Sequence, residues 1–175
     1  YGTAGTENVQ GEIQKKLDTV DRSTANQIFS DLRSLRVDLS FAIGGVKNHE
    51  IFFGHLGGKG GQPLARTLEL ITRDYPSYDA FLGDFKASGL AARGWVWLAY
   101  DHDMNVLTTV VGDAQNTFPL WNATPILALD VYEHAYWFDY GRARAKYIEA
   151  FFNNLDWGVV EQNLERALAM QSVAK

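Results

Sequence analysis

The segment Asp130–Tyr136, with the sequence DVYEHAY, is the part of the chain best suited to carry chemistry. Asp130 and His134 are four residues apart, a spacing that places both side chains on one face of a helix or brings them together at its start. A carboxylate and an imidazole held together are the smallest unit of a buried transition-metal site. An arginine could neutralise the carboxylate instead, and Arg142 and Arg144 follow closely. The pattern by itself leaves both interpretations open.

Few other residues offer reactive groups. The chain contains no cysteine, which excludes disulfides, thiolate metal sites and thiol catalysis. His49 lies in an apolar helical stretch, where it is either a core histidine or a metal ligand. His55 stands beside glycines at a predicted helix end, and we interpret it as a structural residue that caps helix carbonyls. His102 lies between two aspartates in a polar turn, and we interpret it as a solvated loop residue.

The composition limits the classes of function. A chain of 175 residues with 46% hydrophobic residues forms one domain, or two small lobes that share a core. Sixteen Lys and Arg against 21 Asp and Glu give a net charge of −5, which argues against general nucleic-acid binding. No window offers about 18 apolar residues, and no signal-peptide pattern is seen. We therefore expect no membrane span and a cytoplasmic location.

Hydrophobic periodicity predicts an α+β fold that would position these residues. An N-terminal helical hairpin over residues 1–58 is followed by a glycine-rich loop. A C-terminal metal-binding lobe over residues 63–175 then arranges helices around a three-stranded antiparallel sheet. The predicted strands are 94–100, 106–111 and 125–130. The predicted helices are 8–17, 63–73, 77–87, 147–153 and 157–170, with a turn or short helix at 134–138. A further long helix, capped by Ser23-Thr24, either continues or kinks at Gly44-Gly45 before it reaches residue 55.

Several separated motifs resemble the iron/manganese superoxide dismutase family. Residues 130–136 are similar to the family signature Asp-x-Trp-Glu-His-Ala-Tyr, with Tyr132 in place of the tryptophan. The helix that carries the family's second histidine ligand is similar to Asn48–Phe53, and its aromatic strand is similar to Arg93–Leu98. The loop that brings a glutamine near the metal in manganese-type members resembles Gly112–Asn116. These motifs occur in the same order and at similar spacing as in the family.

The resemblance implies a superoxide dismutase, which disproportionates superoxide to O2 and H2O2 at a mononuclear Mn or Fe centre. Family members bind this ion through three histidines, one aspartate and a solvent molecule. His49, Asp130 and His134 match three of these protein ligands. Gln115 matches the glutamine that donates to the metal-bound solvent, and Gly45 stands where iron-type enzymes place their own glutamine. The glutamine position therefore favours Mn.

The resemblance also implies supporting roles. Trp95 and Trp97 would exclude bulk water from the site. Glu133 would pair with His134 of a second copy across a two-fold interface. We therefore expect a homodimer or a dimer of dimers, and a place in a larger complex stays open.

The resemblance is incomplete at the N-terminus. The family's first histidine ligand would fall just before Tyr1, and its gateway tyrosine would fall near Thr6. Trp137 replaces the second tyrosine of the usual pair after His-Ala. Two interpretations follow. The residues given lack the N-terminal part of an ordinary enzyme, or the chain is a non-catalytic protein of this fold with a structural or partner-binding role.

Overall fold

A computed structural model describes residues 3–116 and 120–173, with side chains described over 8–116 and 120–170. The predicted α+β class is confirmed, because helices surround a three-stranded antiparallel sheet. No helix in the described ranges is both long and apolar enough to cross a membrane. The elements are α1 (Thr3–Thr19), α2 (Asp31–Gly54), α3 (Ala65–Asp74), α4 (Tyr78–Ala91), β1 (Trp95–Asp101), β2 (Val106–Gly112), β3 (Ala123–Asp130), α5 (Glu133–Tyr140), α6 (Arg144–Asn153) and α7 (Trp157–Val173).

The helical hairpin consists of α1 and α2, but α2 begins later than its sequence pattern predicts. Its N-cap is Ser30, whose hydroxyl accepts a hydrogen bond from the main-chain N–H of Arg33. The predicted cap at Ser23-Thr24 is wrong, because the Ser23 hydroxyl and main-chain N–H both donate to the Asp21 carboxylate within a turn. A serine bonded to a nearby turn residue is not available to cap a helix.

Helix α2 passes without a break through Gly44 and Gly45. Glycine costs about 1 kcal/mol inside a helix relative to alanine, so two in succession need a packing reason. A Cβ at Gly44 would lie 2.1 Å from the main-chain oxygen of Gln115, and one at Gly45 would lie 3.7 Å from the carboxamide carbon of the same residue. Gly44 therefore allows the segment after β2 to lie directly against α2, whereas a Cβ at Gly45 would make an ordinary van der Waals contact with the Gln115 side chain.

The sheet has the order β2-β1-β3, with β1 antiparallel to both neighbours. Trp95, the first residue of β1, is paired with Gly112 at the end of β2 and with Asp130 at the end of β3. This register brings the start of β1 and the ends of both neighbours to one edge of the sheet. Helix α2 packs against β3, so His49 lies close to the same edge. The boundary between residues 1–58 and 63–175 as separate domains stays a prediction.

Two histidines have contacts that differ from those predicted. His55 ends α2, but its ring turns toward the sheet, and its Nε2 accepts a hydrogen bond from the main-chain N–H of Ala128 at 3.1 Å. His55 therefore joins α2 to β3 instead of capping helix carbonyls. His102 is half-buried, with Nε2 2.8 Å from the Thr124 hydroxyl, so its prediction as a solvated residue is wrong. Both rings are held by residues distant in sequence, which local patterns do not reveal.

The buried ring of His55 predicts a loss of stability in acid. Burial lowers the pKa of His55 from 6.5 to about 4. Between these values the unfolded chain takes up a proton that the folded chain does not, so the free energy of unfolding falls as the pH falls. The shift corresponds to roughly 3 kcal/mol.

His55→Gln, which keeps an acceptor without titrating, should remove this part of the slope between pH 6.5 and pH 4 in urea unfolding. His102→Gln serves as the matched control and should retain the His55 part of the slope. An unchanged slope in His55→Gln would contradict the assignment.

Candidate metal centre

Three side chains from different elements meet beyond the sheet edge. His49 comes from α2, Asp130 from the end of β3 and His134 from the first turn of α5. Oδ2 of Asp130 lies 3.3 Å from Nε2 of His49 and 3.0 Å from Nε2 of His134. One potential ligand atom from each residue lies within 4.8 Å of the others. The structure thus brings together two imidazole nitrogens and one carboxylate oxygen.

The Asp130 carboxylate is 1% exposed, so its charge must be balanced by its neighbours. Its Oδ1 accepts a hydrogen bond from the main-chain N–H of Tyr132 at 2.9 Å. The alternative partner Arg144 instead donates from Nε to the Tyr136 hydroxyl and from its terminal nitrogen to the main-chain oxygen of Ala92. Within the described residues, the basic side chains that lie within 4.0 Å of this carboxylate are the two histidines, which are charged only when protonated. This arrangement favours the metal interpretation over the arginine one.

The buried ring of His49 has one nitrogen satisfied and one unsatisfied. Nδ1 lies 2.6 Å from the main-chain oxygen of Gly45, which makes it the protonated nitrogen of the neutral ring. Nε2 then carries a lone pair, and among the described residues it has no hydrogen-bond partner with suitable geometry. The nearby Asp130 carboxylate raises the pKa of His49, against the effect of burial. A cation at Nε2, whether a proton or a metal ion, would satisfy this atom.

The donor set fits manganese or iron. Imidazole nitrogen and carboxylate oxygen are ligands that both metals accept in their divalent and trivalent states. The unsatisfied Nε2 of His49 is the structural evidence for this fit, because a lone pair beside a buried carboxylate is stabilised by a bound cation.

Aromatic rings enclose the inner side of the site. Trp95 is fully buried and meets the His49 ring edge-on, with centroids 5.1 Å apart. Trp97 stacks on Trp95 at 6.2 Å. The ring of Tyr132, which replaces the signature tryptophan, stacks on His134 at 5.3 Å. The two tryptophans therefore lie behind the histidine of α2, and their role in excluding water stays a prediction.

Gln115 is held beside the site by two donors. Its Oε1 accepts hydrogen bonds from Nε1 of Trp95 at 3.0 Å and from Nδ2 of Asn48 at 3.3 Å. Asn48 also donates to the main-chain oxygen of Gln115 at 3.2 Å. Because the amide oxygen accepts both bonds, the amide nitrogen is the end that can donate to another group. The contacts of Asn48 with Gln115 were not predicted from the sequence, although a buried amide beside His49 requires a polar partner.

Glu133 lies outside this cluster, on the exposed side of α5. An open cavity of about 570 Å³ lies beside it and is also lined by Arg93, His134 and Arg144. The pairing of Glu133 with a second copy stays a prediction. The side chain of Thr6, near which the gateway tyrosine was predicted, lies outside the described side chains.

Comparisons with known proteins agree with this geometry. Residues 63–163 match the family described as iron/manganese superoxide dismutases, C-terminal domain. A superoxide dismutase [Fe] from Aquifex aeolicus is 40% identical over 169 residues, which cover 94% of this chain and 79% of that protein. A superoxide dismutase [Mn] 2 from Haloferax volcanii is 41% identical over 123 residues, which cover 70% of this chain and 62% of that protein. The resemblance found in the separate motifs is therefore confirmed across most of the sequence, and the chain belongs to the iron/manganese superoxide dismutase family.

Proposed function

We propose that this chain is a superoxide dismutase whose Mn or Fe ion is held by His49, Asp130 and His134. The observation that carries the proposal is the unsatisfied Nε2 of His49, which converges with the other two side chains on one point. Relatives named for iron and for manganese support both the activity and the choice of metals. The net reaction converts two superoxide ions and two protons into O2 and H2O2. The ion would supply the alternating one-electron oxidation and reduction that this reaction needs.

Each residue of the chain would contribute a distinct physical effect. Asp130 supplies a fixed negative charge in a buried place, which favours a cation over an empty site. The bond from His49 Nδ1 to the Gly45 oxygen orients that ring and its lone pair. The tryptophans keep the surroundings dry, so that electrostatic effects act over short distances without screening by water.

Gln115 would tune the site as a hydrogen-bond donor. Trp95 and Asn48 hold its oxygen, and a donor of fixed orientation favours one protonation state of any nearby solvent molecule. Gly45 is the complementary feature, because a larger side chain there would occupy space that the Gln115 amide fills. We propose Mn as the working metal on this basis.

Removing the central carboxylate tests the site. Asp130→Ala should lose bound Mn or Fe and should lower the free energy of unfolding by roughly 3 kcal/mol or more, because the site loses its carboxylate and the bound ion no longer stabilises the fold. Asp139→Ala on the exposed side of α5 is the control and should retain both metal and stability. Metal content after dialysis and urea unfolding measure these effects. Unchanged metal content in Asp130→Ala would contradict the site.

Superoxide turnover of the native protein separates the enzyme from the alternative. Stoichiometric Mn or Fe together with rapid, metal-dependent turnover is the expected result. Full metal loading without turnover would contradict the catalytic proposal and would favour the non-catalytic role on the same fold.

Loss of the donor that orients Gln115 should affect the rate more than the metal content. Asn48→Ala removes two hydrogen bonds to Gln115, so superoxide turnover should fall roughly 10- to 100-fold while the metal is retained. Asn116→Ala is the matched control in the same segment, since Asn116 donates to Ser40 on α2 and not to Gln115. Equal rates for both variants would contradict the orienting role of Asn48.

We further propose a homodimer in which Glu133 accepts a hydrogen bond from His134 of the second copy. The exposed carboxylate and the adjacent open cavity support this arrangement. Two such contacts would be related by the two-fold axis, so one substitution removes both.

Glu133→Ala should therefore raise the dimer dissociation constant roughly tenfold or more, because each interface loses two charge-assisted bonds. Sedimentation equilibrium with metal-loaded protein measures this constant. Asp139→Ala, which removes another exposed carboxylate of α5, should leave it unchanged. A Glu133→Ala protein that dimerises like the wild type would exclude this interface.

A further inference from the structure

The main chain of Asp130 is held by a residue from another helix. The hydroxyl of Tyr147, which lies on α6, donates to the main-chain oxygen of Asp130 at 2.6 Å. Tyr147 is 6% exposed, so this bond is made away from solvent. A buried hydrogen bond between a side chain and a main-chain oxygen restricts the position of the backbone that it contacts.

The ring of Tyr147 is fixed by its own neighbours. It stacks on the ring of Tyr136 with centroids 5.2 Å apart. The Tyr136 hydroxyl accepts from Arg144, which also donates to the main-chain oxygen of Ala92 at the end of α4. The contacts thus form a continuous path from the end of α4, through α5 and α6, to Asp130.

The end of β3 lies at the edge of the sheet, because β3 is the last strand in the order β2-β1-β3. Strand β1 pairs with β3 on one side only, and β3 ends at Asp130. The carboxylate is held at Oδ1 by the Tyr132 N–H, but this bond belongs to the same turn and moves with it. The bond from Tyr147 comes from a different element, and it can therefore fix the turn relative to the rest of the lobe.

We infer that Tyr147 is a positioning residue for Asp130, which keeps Oδ2 within reach of both imidazoles. Oδ2 of Asp130 lies 3.0 Å from Nε2 of His134 and 3.3 Å from Nε2 of His49, so a small shift of the Asp130 backbone changes both distances. The inference rests on the proposed metal site and adds a residue 17 positions away from the ligand that it supports.

Tyr147→Phe tests the inference, because it removes the hydroxyl and keeps the stacked ring. In the full chain, the dissociation constant for Mn²⁺ should rise roughly tenfold or more. The electron paramagnetic resonance spectrum of bound Mn²⁺ should also change, since the geometry around Asp130 is altered. Tyr140→Phe is the matched control, because its ring packs on Tyr147 at 5.9 Å and its hydroxyl is not bonded to Asp130.

The control variant should keep the wild-type affinity and spectrum. If Tyr147→Phe lowers thermal stability but keeps the wild-type dissociation constant and spectrum, the residue is only structural and the inference is overturned. If the wild-type chain itself binds neither Mn nor Fe, both the proposed metal site and this inference fail. Metal binding by the wild type with no difference in Tyr147→Phe would overturn the inference alone.

Discussion

The contact between one buried carboxylate and two imidazoles is the interaction on which the rest of the structure depends. A carboxylate removed from water loses several kcal/mol of solvation unless nearby groups replace that solvation. Asp130 meets this condition at the end of β3, between His49 from α2 and His134 from α5. Strand β3 and helices α2 and α5 therefore have to meet at one point, and this requirement constrains how they pack.

Each of the surrounding hydrogen bonds restricts the position of one group in this cluster. The Gly45 oxygen orients the His49 ring, the Tyr132 N–H holds Oδ1 of Asp130, and Tyr147 holds its main chain. These partners come from both halves of the chain. Preorganised groups do not have to reorient when an ion binds, so the binding free energy is not spent on ordering them.

The contact between α2 and the segment after β2 links the helical hairpin to the chemistry of the site. Gly44 weakens the helix locally, yet it allows the main chain of Gln115 to approach closely. Asn48 and Trp95 then hold the Gln115 amide in one orientation. Relatives of this chain include proteins named for iron and for manganese.

The sequence by itself determined the α+β class, the order of the strands along the chain, the Asp130–His134 pair and the family, because periodicity and motif spacing are local properties. It did not determine which serine caps α2 or where the rings of His55 and His102 point, since nearby turns and distant strands compete for these groups. Asn48 and Tyr147 were likewise not identified, because their partners lie 67 and 17 residues away. Only the tertiary structure decides such contacts, since a hydrogen bond depends on distance and direction in space, which residue order alone does not specify.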